Sequence, residues 1–191
     1  MICFRLFGIS LYFEFGFFAV FGLLCTLSTD ADALRASVWA VFLHEGAHFA
    51  VMAATKQRVH SITFYGCGIR IRPAHVLCDY RRELAVLLAG PLSNLLAWGI
   101  IRSFGGDELL ADAQLVLGLV NLLPCRHLDG GAALRCLFNL TPWALSLSER
   151  MISVIACMVL LGMLLAGVLL DIRNFTYYVL CLYLFFAEIF W

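Results

Sequence analysis

Six long apolar segments dominate the sequence and limit what the chain can fold into. A helix needs about 20 predominantly apolar residues to cross the hydrocarbon core of a bilayer. The segments that reach or approach this length are Phe7–Leu27, Ala36–Thr55, Leu84–Ile101, Leu109–Leu123, Ile152–Leu170 and Thr176–Phe190. Of the 191 residues, 63% are hydrophobic and 14% are charged, against about half and about a quarter in a soluble domain. We therefore predict an all-α polytopic membrane protein with about six transmembrane helices.

The loops between these segments carry an uneven distribution of basic residues. With six spans, the termini and the loops 56–83 and 124–151 lie on one side and hold ten of the 13 Lys and Arg residues. Because cytoplasmic loops carry the excess of Lys and Arg, we expect a multi-pass protein with both termini in the cytoplasm. The formal net charge is zero, and no basic run indicates a nucleic-acid partner.

The chain shows no internal division. No long linker, low-complexity tract or repeat interrupts it, so residues 1–191 are predicted to form a single domain. The eight cysteines include no Cys-x-x-Cys pair, and several lie in apolar segments, so a disulfide framework is not expected.

One segment does not have a helical pattern. The stretch VHSITFYGCGIRIRP (59–73) places β-branched and aromatic residues in two alternating runs around a Gly-rich turn. This pattern predicts a small membrane-associated β-hairpin at the cytoplasmic end of the second span.

The second apolar segment contains His44-Glu45-Gly46-Ala47-His48. Positions i and i+4 share one face of a helix, so the two imidazoles can grip one metal ion. Glu45 is rotated away from that face, where it can accept a proton from a water that the metal activates. The alternative is a set of buried polar groups hydrogen-bonded within a helix bundle. Ionisable groups inside a membrane are costly and usually functional, which favours the metal site.

A third ligand is expected from NLLPCRHLDGG (121–131). A catalytic zinc site needs three protein ligands and one open position. Pro124 ends the fourth apolar segment, and Gly130-Gly131 frees the backbone beside Asp129, whose carboxylate is the best candidate. The charge bias and the position of the motifs place His44, His48 and Asp129 on the same, cytoplasmic side.

Three motifs in order resemble the site-2 protease family of intramembrane zinc metalloproteases. They are His44-Glu45-x-x-His48, then AGPLSN (89–94), similar to the family's Gly-Pro-x-x-Asn, and then Asn121-x-x-Pro124 with Leu128-Asp129-Gly130-Gly131. Together they cover residues 40–135. The resemblance is closest to the branch that includes the stage IV sporulation protease. That branch usually has a proline before Leu-Asp-Gly where this chain has His127, which makes His127, and Cys125 nearby, rival ligands.

The resemblance implies the roles of the residues at the site. It makes His44, His48 and Asp129 the ligands of a single Zn²⁺ and Glu45 the general base. It places Asn121 near the substrate carbonyl as a second catalytic residue, although a helix-capping or interhelical role for Asn121 is an equal alternative. The implied activity is hydrolysis of peptide bonds in or beside transmembrane segments of membrane-tethered regulatory proteins.

The resemblance also implies how a substrate is held. A transmembrane helix hides its peptide bonds, so it has to unwind before it is cut. An exposed strand edge can hold the unwound segment by β-augmentation, and the family places a sheet beside the active site. We therefore assign substrate binding to Ile69 and Ile71 of the hairpin and to Asn94. The alternative is a loop that only covers the helix ends.

The implied partners are a membrane-embedded protein substrate, the lipid bilayer and a regulatory membrane protein. No segment indicates a PDZ or CBS domain. Two other functions use the same residues: a catalytically inactive relative that binds membrane clients, and a metal-binding membrane sensor or transporter. The presence of all four core residues disfavours the first, and a transporter needs a continuous polar path that the spans do not offer. Replacing Glu45 by Gln separates the enzyme from both.

Overall fold

The computed structural model describes residues 2–6, 9–13, 15, 30–55, 59–65, 68–73, 80–139 and 148–190. Each of the last five apolar segments falls on a helix, as predicted. A further short helix follows the segment Leu109–Leu123. The helices in this part of the chain are α1 (Ala31–Ala54), α2 (Tyr80–Ser103), α3 (Glu108–Asn121), α4 (Asp129–Asn139), α5 (Ser148–Leu169) and α6 (Phe175–Phe190).

The strands form one four-stranded sheet in the order β1-β2-β3-β4. They are β1 (Ile2–Leu6), β2 (Ile9–Phe13), β3 (Val59–Tyr65) and β4 (Gly68–Pro73). The pairs β1–β2 and β3–β4 are antiparallel, whereas β2 and β3 are parallel. A parallel pair needs a crossover of a dozen or more residues, and α1 lies within that crossover. The predicted hairpin over 59–73 is confirmed as β3–β4, but it is half of a larger sheet.

The prediction of a helix over Phe7–Leu27 is wrong at its start, where Ile9–Phe13 forms β2. Residues 16–27 of that prediction lie outside the described residues. The error has a physical cause: a short apolar run fits a strand as well as a helix, and hydrophobicity alone does not separate them. The β-branched and aromatic residues of 2–13 are the signal that favours strands.

The helices pack into one bundle. Helices α1, α2 and α3 pack against one another, α4 packs against α2 and α5, and α5 pairs with α6. The bundle interior holds small side chains such as Ala36, Ala40 and Ala111, and the polar side chains of Asn94 and Gln114. Small residues let helix backbones approach closely, which is how helices associate when lipid surrounds them.

Large apolar side chains lie on the outward faces of the same helices. Examples are Leu96, Val116 and Met158, which are 66%, 59% and 67% exposed. By length and composition, two helices among the described residues are apolar enough to cross a membrane: α2 and the stretch Arg150–Leu169 of α5. Helix α1 is as long as α2. An interior of small and polar residues with an apolar exterior favours a lipid surrounding.

Candidate metal centre

Helix α1 brings His44 and His48 together on its buried face. Asp30 caps the N-terminus of this helix, where its carboxylate accepts hydrogen bonds from the backbone N–H groups of Asp32 and Ala33. The two imidazoles are only 4% and 8% exposed. Their Nε2 atoms lie 3.1 Å apart, as expected for positions i and i+4 on one helix.

Asp129, the first residue of α4, completes the cluster from a distant part of the chain. Its Oδ2 lies 3.0 Å from His44 Nε2 and 3.2 Å from His48 Nε2. The three side chains form a group with the atoms and spacing to hold a metal ion. The structure thus brings together all three residues that the sequence assigns to the metal.

The hydrogen bonds behind the imidazoles fix where their lone pairs point. His44 Nδ1 lies 2.6 Å from Asn94 Oδ1, and His48 Nδ1 lies 2.7 Å from the Val86 carbonyl oxygen. Both of these oxygens only accept hydrogen bonds, so each Nδ1 is the donor. In a neutral imidazole the other nitrogen then has a free lone pair. Both Nε2 lone pairs therefore point at the place where the Asp129 carboxylate also points.

This donor set fits a zinc ion. Two imidazole lone pairs and a carboxylate oxygen, all within 3.2 Å of one another, repel unless a metal ion or a proton lies among them. Zinc binds His nitrogen and Asp oxygen at about 2.0–2.2 Å, which separates the ligand atoms of a tetrahedral site by about 3.3–3.6 Å. The observed separations of 3.0–3.2 Å are slightly shorter, so a small outward shift of the three side chains accommodates the ion. The described residues supply three ligands to this group, which leaves the fourth position of a tetrahedral ion for a water or a substrate.

Two buried amides on neighbouring helices orient His44. Asn94 of α2 is 0% exposed and its Nδ2 donates to the Ala40 carbonyl oxygen at 3.1 Å and to Gln114 Oε1 of α3 at 2.5 Å. These two acceptors hold the amide so that its Oδ1 faces His44. Sequence reasoning does not assign Gln114 to the site; the available signal is an amide flanked by apolar residues on a helix, which usually faces the bundle interior.

Helix α2 approaches the metal ligands as closely as its backbone allows. A Cβ atom added at Gly90 would lie 2.3 Å from His48 Nε2 and 2.7 Å from His44 Nε2. No side chain fits there without displacing an imidazole. The Gly90 of AGPLSN is therefore a steric requirement of the His44–His48 arrangement, and Asn94 one turn later binds His44.

The turn before Asp129 packs tightly against the start of α4. A Cβ atom at Gly130 would lie 2.2 Å from the Leu122 carbonyl oxygen, and one at Gly131 would lie 2.0 Å from that of Cys125. Close approach of two backbone segments, rather than conformational freedom, explains the two glycines, because both have negative φ. This contact fixes the position from which the Asp129 side chain leaves the backbone.

The remaining catalytic and ligand candidates lie in different environments. Glu45 follows His44 on α1 and is half-buried. Asn121, at the end of α3, donates from Nδ2 to the Leu117 carbonyl oxygen of its own helix at 3.1 Å. His127 is exposed, and Cys125 is 2% exposed within the apolar core beside Ala156. Neither His127 nor Cys125 belongs to the group of metal-ligating side chains found among the described residues.

The candidate substrate-binding residues are divided between the sheet and the bundle. Ile69 and Ile71 lie on β4, an edge strand of the sheet, opposite Phe64 and Ile62 of β3. Asn94 lies inside the bundle, and its hydrogen bonds run to His44, Ala40 and Gln114. Its contacts favour a role in holding His44; substrate binding by these three residues stays a prediction.

The comparisons with known proteins give a match among solved structures. No protein-family model matches the chain, and no curated protein matches it. Among solved structures it is similar to the site-2 protease from Methanocaldococcus jannaschii, with a TM-score of 0.63 and 24% sequence identity over 98% of this chain and 93% of that one. At this identity the likeness shows a common fold. The chain thus has the fold of a site-2 protease, and the sporulation branch stays a prediction.

Proposed function

We propose that this chain is a zinc metalloendopeptidase that hydrolyses peptide bonds in or beside the transmembrane segments of membrane-tethered regulatory proteins. One observation carries the proposal: His44 Nε2, His48 Nε2 and Asp129 Oδ2 converge within 3.2 Å beside Glu45. Three protein ligands and an open position are the arrangement of a catalytic rather than a structural zinc site. The site-2 protease fold supports the assignment.

Each residue then has a distinct task. Zinc, when bound, supplies Lewis-acid activation of water and of the scissile carbonyl. His44, His48 and Asp129 hold the ion, and Asn94 holds His44 in the required tautomer. Glu45 accepts a proton from the attacking water and delivers it to the amine nitrogen as the C–N bond breaks, which yields a carboxyl group and a free amine.

Asn121 is the proposed donor to the substrate carbonyl. Its side-chain amide has two N–H groups, and the contact with the Leu117 carbonyl oxygen uses one of them. The second can donate to an oxygen that gains negative charge during attack.

Strand β4 is the proposed binding site for the unwound substrate segment. Residues Gly68–Pro73 pair with β3 on one side, and no other strand of the described residues pairs with them on the other side. An extended peptide can add to such an edge through backbone hydrogen bonds, and Ile69 and Ile71 occupy alternate positions of this strand. The sheet follows the two histidines closely in sequence: α1 extends for about 9 Å beyond His48 to Ala54, and β3 begins at Val59.

The proposed setting is a bacterial cytoplasmic membrane that the chain crosses about six times. The excess of Lys and Arg in alternate loops supports an orientation with both termini and the active site toward the cytoplasm. A membrane-embedded protein substrate and a regulatory membrane protein are the proposed partners.

Removing the general base while keeping the metal tests the proposal. We would compare new protein N-termini in membranes of cells expressing the parent chain, Glu45→Gln and Glu108→Gln. Glu108 is the matched control, because it is exposed in the first turn of α3 and its carboxylate lies 3.3 Å from Arg102 at the surface. Zinc content is measured in all three.

We expect one zinc in each protein and client cleavage lowered by about 10²–10⁴-fold for Glu45→Gln alone. New termini within or beside predicted spans of the client identify the substrate. If all three proteins hold zinc and no terminus depends on Glu45 with candidate clients present, the protease assignment is wrong. A membrane client-binding or sensing role then takes its place.

A further inference from the structure

A buried carboxylate near the end of α6 contacts the turn that carries Asp129. Glu188 is 4% exposed, although it lies in an otherwise apolar helix. Its Oε2 accepts a hydrogen bond from the backbone N–H of Arg126 at 2.8 Å, and its Oε1 accepts one from Ser153 Oγ of α5 at 2.7 Å. Burying a carboxylate in such surroundings is costly unless hydrogen bonds and an ion pair compensate for it, so the partners of Glu188 indicate its role.

The Arg126 side chain closes this network. Its Nη2 donates to Ser153 Oγ at 2.8 Å, and its Nε lies 3.7 Å from Glu188 Oε1. Arg135 of α4 donates to the Arg126 carbonyl oxygen at 2.8 Å. The backbone of Arg126 is therefore bound at its N–H by α6 and at its carbonyl by α4.

The segment from Arg126 to Asp129 is short and well supported. The backbone N–H of Leu128 donates to the Cys125 carbonyl oxygen at 3.0 Å, and that of Ala132 donates to the Leu128 carbonyl oxygen at 3.1 Å. Cys125 packs among Ala156, Leu160 and Leu184 of α5 and α6. Because these contacts hold the short segment, a displacement of Arg126 should also displace Asp129, three residues later.

We propose that Glu188 is a positioning residue for Asp129. It binds the Arg126 backbone to α6 and so fixes the position of the Asp129 carboxylate relative to His44 and His48. Helix α6, which supplies no metal ligand in the described part of the chain, is thereby part of the metal centre. An effect of Glu188 on catalysis rests on the proposed function, whereas the contacts between Glu188 and Arg126 do not depend on it.

The test uses the full chain in detergent or nanodiscs. Glu188→Ala removes both hydrogen bonds, whereas Glu188→Gln keeps an oxygen for the Arg126 N–H and an amide group for Ser153. Tyr177→Phe is the matched control, because it removes a 2.7 Å hydrogen bond from the Tyr177 hydroxyl to the Met163 carbonyl oxygen, which joins the same two helices. Two quantities are measured: Co²⁺ affinity with its visible spectrum, and amide hydrogen exchange over residues 122–130.

We expect Glu188→Ala to weaken Co²⁺ binding by about tenfold, with an altered spectrum, and to speed exchange over 122–130. Glu188→Gln should stay within about threefold of the parent, and Tyr177→Phe should match it. If Glu188→Ala does not fold, Ser153→Ala carries the test, with a smaller change in the same direction, because it removes the hydroxyl between Arg126 and Glu188.

The inference is overturned if Glu188→Ala keeps the parent's affinity, spectrum and exchange, or if Tyr177→Phe changes them equally. Failure of the proposed function looks different: the parent binds Co²⁺ and responds to Glu188→Ala, yet no client cleavage depends on Glu45. A parent that binds no Co²⁺ also ends the proposed function, and hydrogen exchange then decides alone whether Glu188 holds the turn.

Discussion

His44 donates a hydrogen bond from Nδ1 to Oδ1 of Asn94 across 2.6 Å, so a fully buried amide of α2 sets the tautomer of a histidine on α1. The same amide donates to Gln114 of α3. A chain of hydrogen bonds thus runs from Gln114 of α3 through Asn94 of α2 to His44 of α1, a proposed metal ligand. Groups that orient a ligating histidine in this way raise its basicity and hold its ring, and metal affinity depends on them.

Replacing Asn94 by Leu is expected to weaken zinc binding by about 10–100-fold. The change keeps a side chain of similar size but leaves His44 Nδ1 without its acceptor. Affinity is measured by competition with a chelator. Ser93→Ala is the control, because the Ser93 hydroxyl bonds only within α2, to the Gly90 carbonyl oxygen at 2.7 Å, in the contacts described. Equal affinities for Asn94→Leu and the parent would show that Asn94 does not position His44.

Gly90→Ala is expected to abolish stoichiometric zinc binding. The new Cβ would lie 2.3 Å from His48 Nε2, so either the imidazole or α2 has to move. Gly99→Ala is the control on the same helix, because a Cβ there meets no atom within 4 Å. Zinc is counted per chain after purification. A Gly90→Ala protein that retains one zinc contradicts the close approach of α2.

The proposed metal ligands on α1 can be predicted from the sequence because their geometry is local. Spacing i, i+4 puts His44 and His48 on one face of any helix. Asp129 lies more than 80 positions away, and its assignment depended on a motif and on the glycines beside it. The structure adds the reason for those glycines, which is contact between the backbone of α4 and the preceding turn.

Other features depend on how elements pack, and no local pattern encodes them. Gln114 reaches Asn94 only because α2 and α3 pack in one particular register. Glu188 contacts Arg126 across 62 positions of sequence. The span predicted from Phe7 onward includes β2, because a run of apolar residues fits both a strand and a helix until its pairing partner is known.

Metal removal is expected to lower the free energy of unfolding. Without a cation, two imidazole lone pairs and a carboxylate oxygen face one another within 3.2 Å. At free zinc of about 1,000 times Kd, binding adds about 4 kcal/mol. Thermal unfolding is followed with and without a chelator, and zinc is then added back. Asp129→Asn is the control, and adding zinc should not raise its unfolding temperature. If zinc stabilises this variant as much as the parent, the zinc binds elsewhere.

Gln114→Leu is expected to weaken zinc binding less than Asn94→Leu, by about threefold to tenfold. The Asn94 amide loses one of two acceptors but keeps the Ala40 carbonyl oxygen at 3.1 Å. Asp112→Asn is the control on the same helix, because Asp112 is exposed and pairs with Arg102 at the surface, where such a pair contributes little. The double variant Asn94→Leu with Gln114→Leu should bind no more weakly than Asn94→Leu alone. Additive losses would mean that Gln114 acts by a separate route.

Gly131→Ala is expected to lower the free energy of unfolding by about 1–3 kcal/mol, as overpacking does. The added Cβ would lie 2.0 Å from the Cys125 carbonyl oxygen, so α4 and the turn have to separate. Because Asp129 lies two residues earlier, zinc affinity should fall with stability. Gly162→Ala on α5 is the control, since a Cβ there meets nothing within 4 Å and alanine favours the helix. Both variants are compared by unfolding in detergent and by chelator competition. A Gly131→Ala protein that loses stability but keeps its zinc affinity would show that Asp129 is held by other contacts than those of this turn.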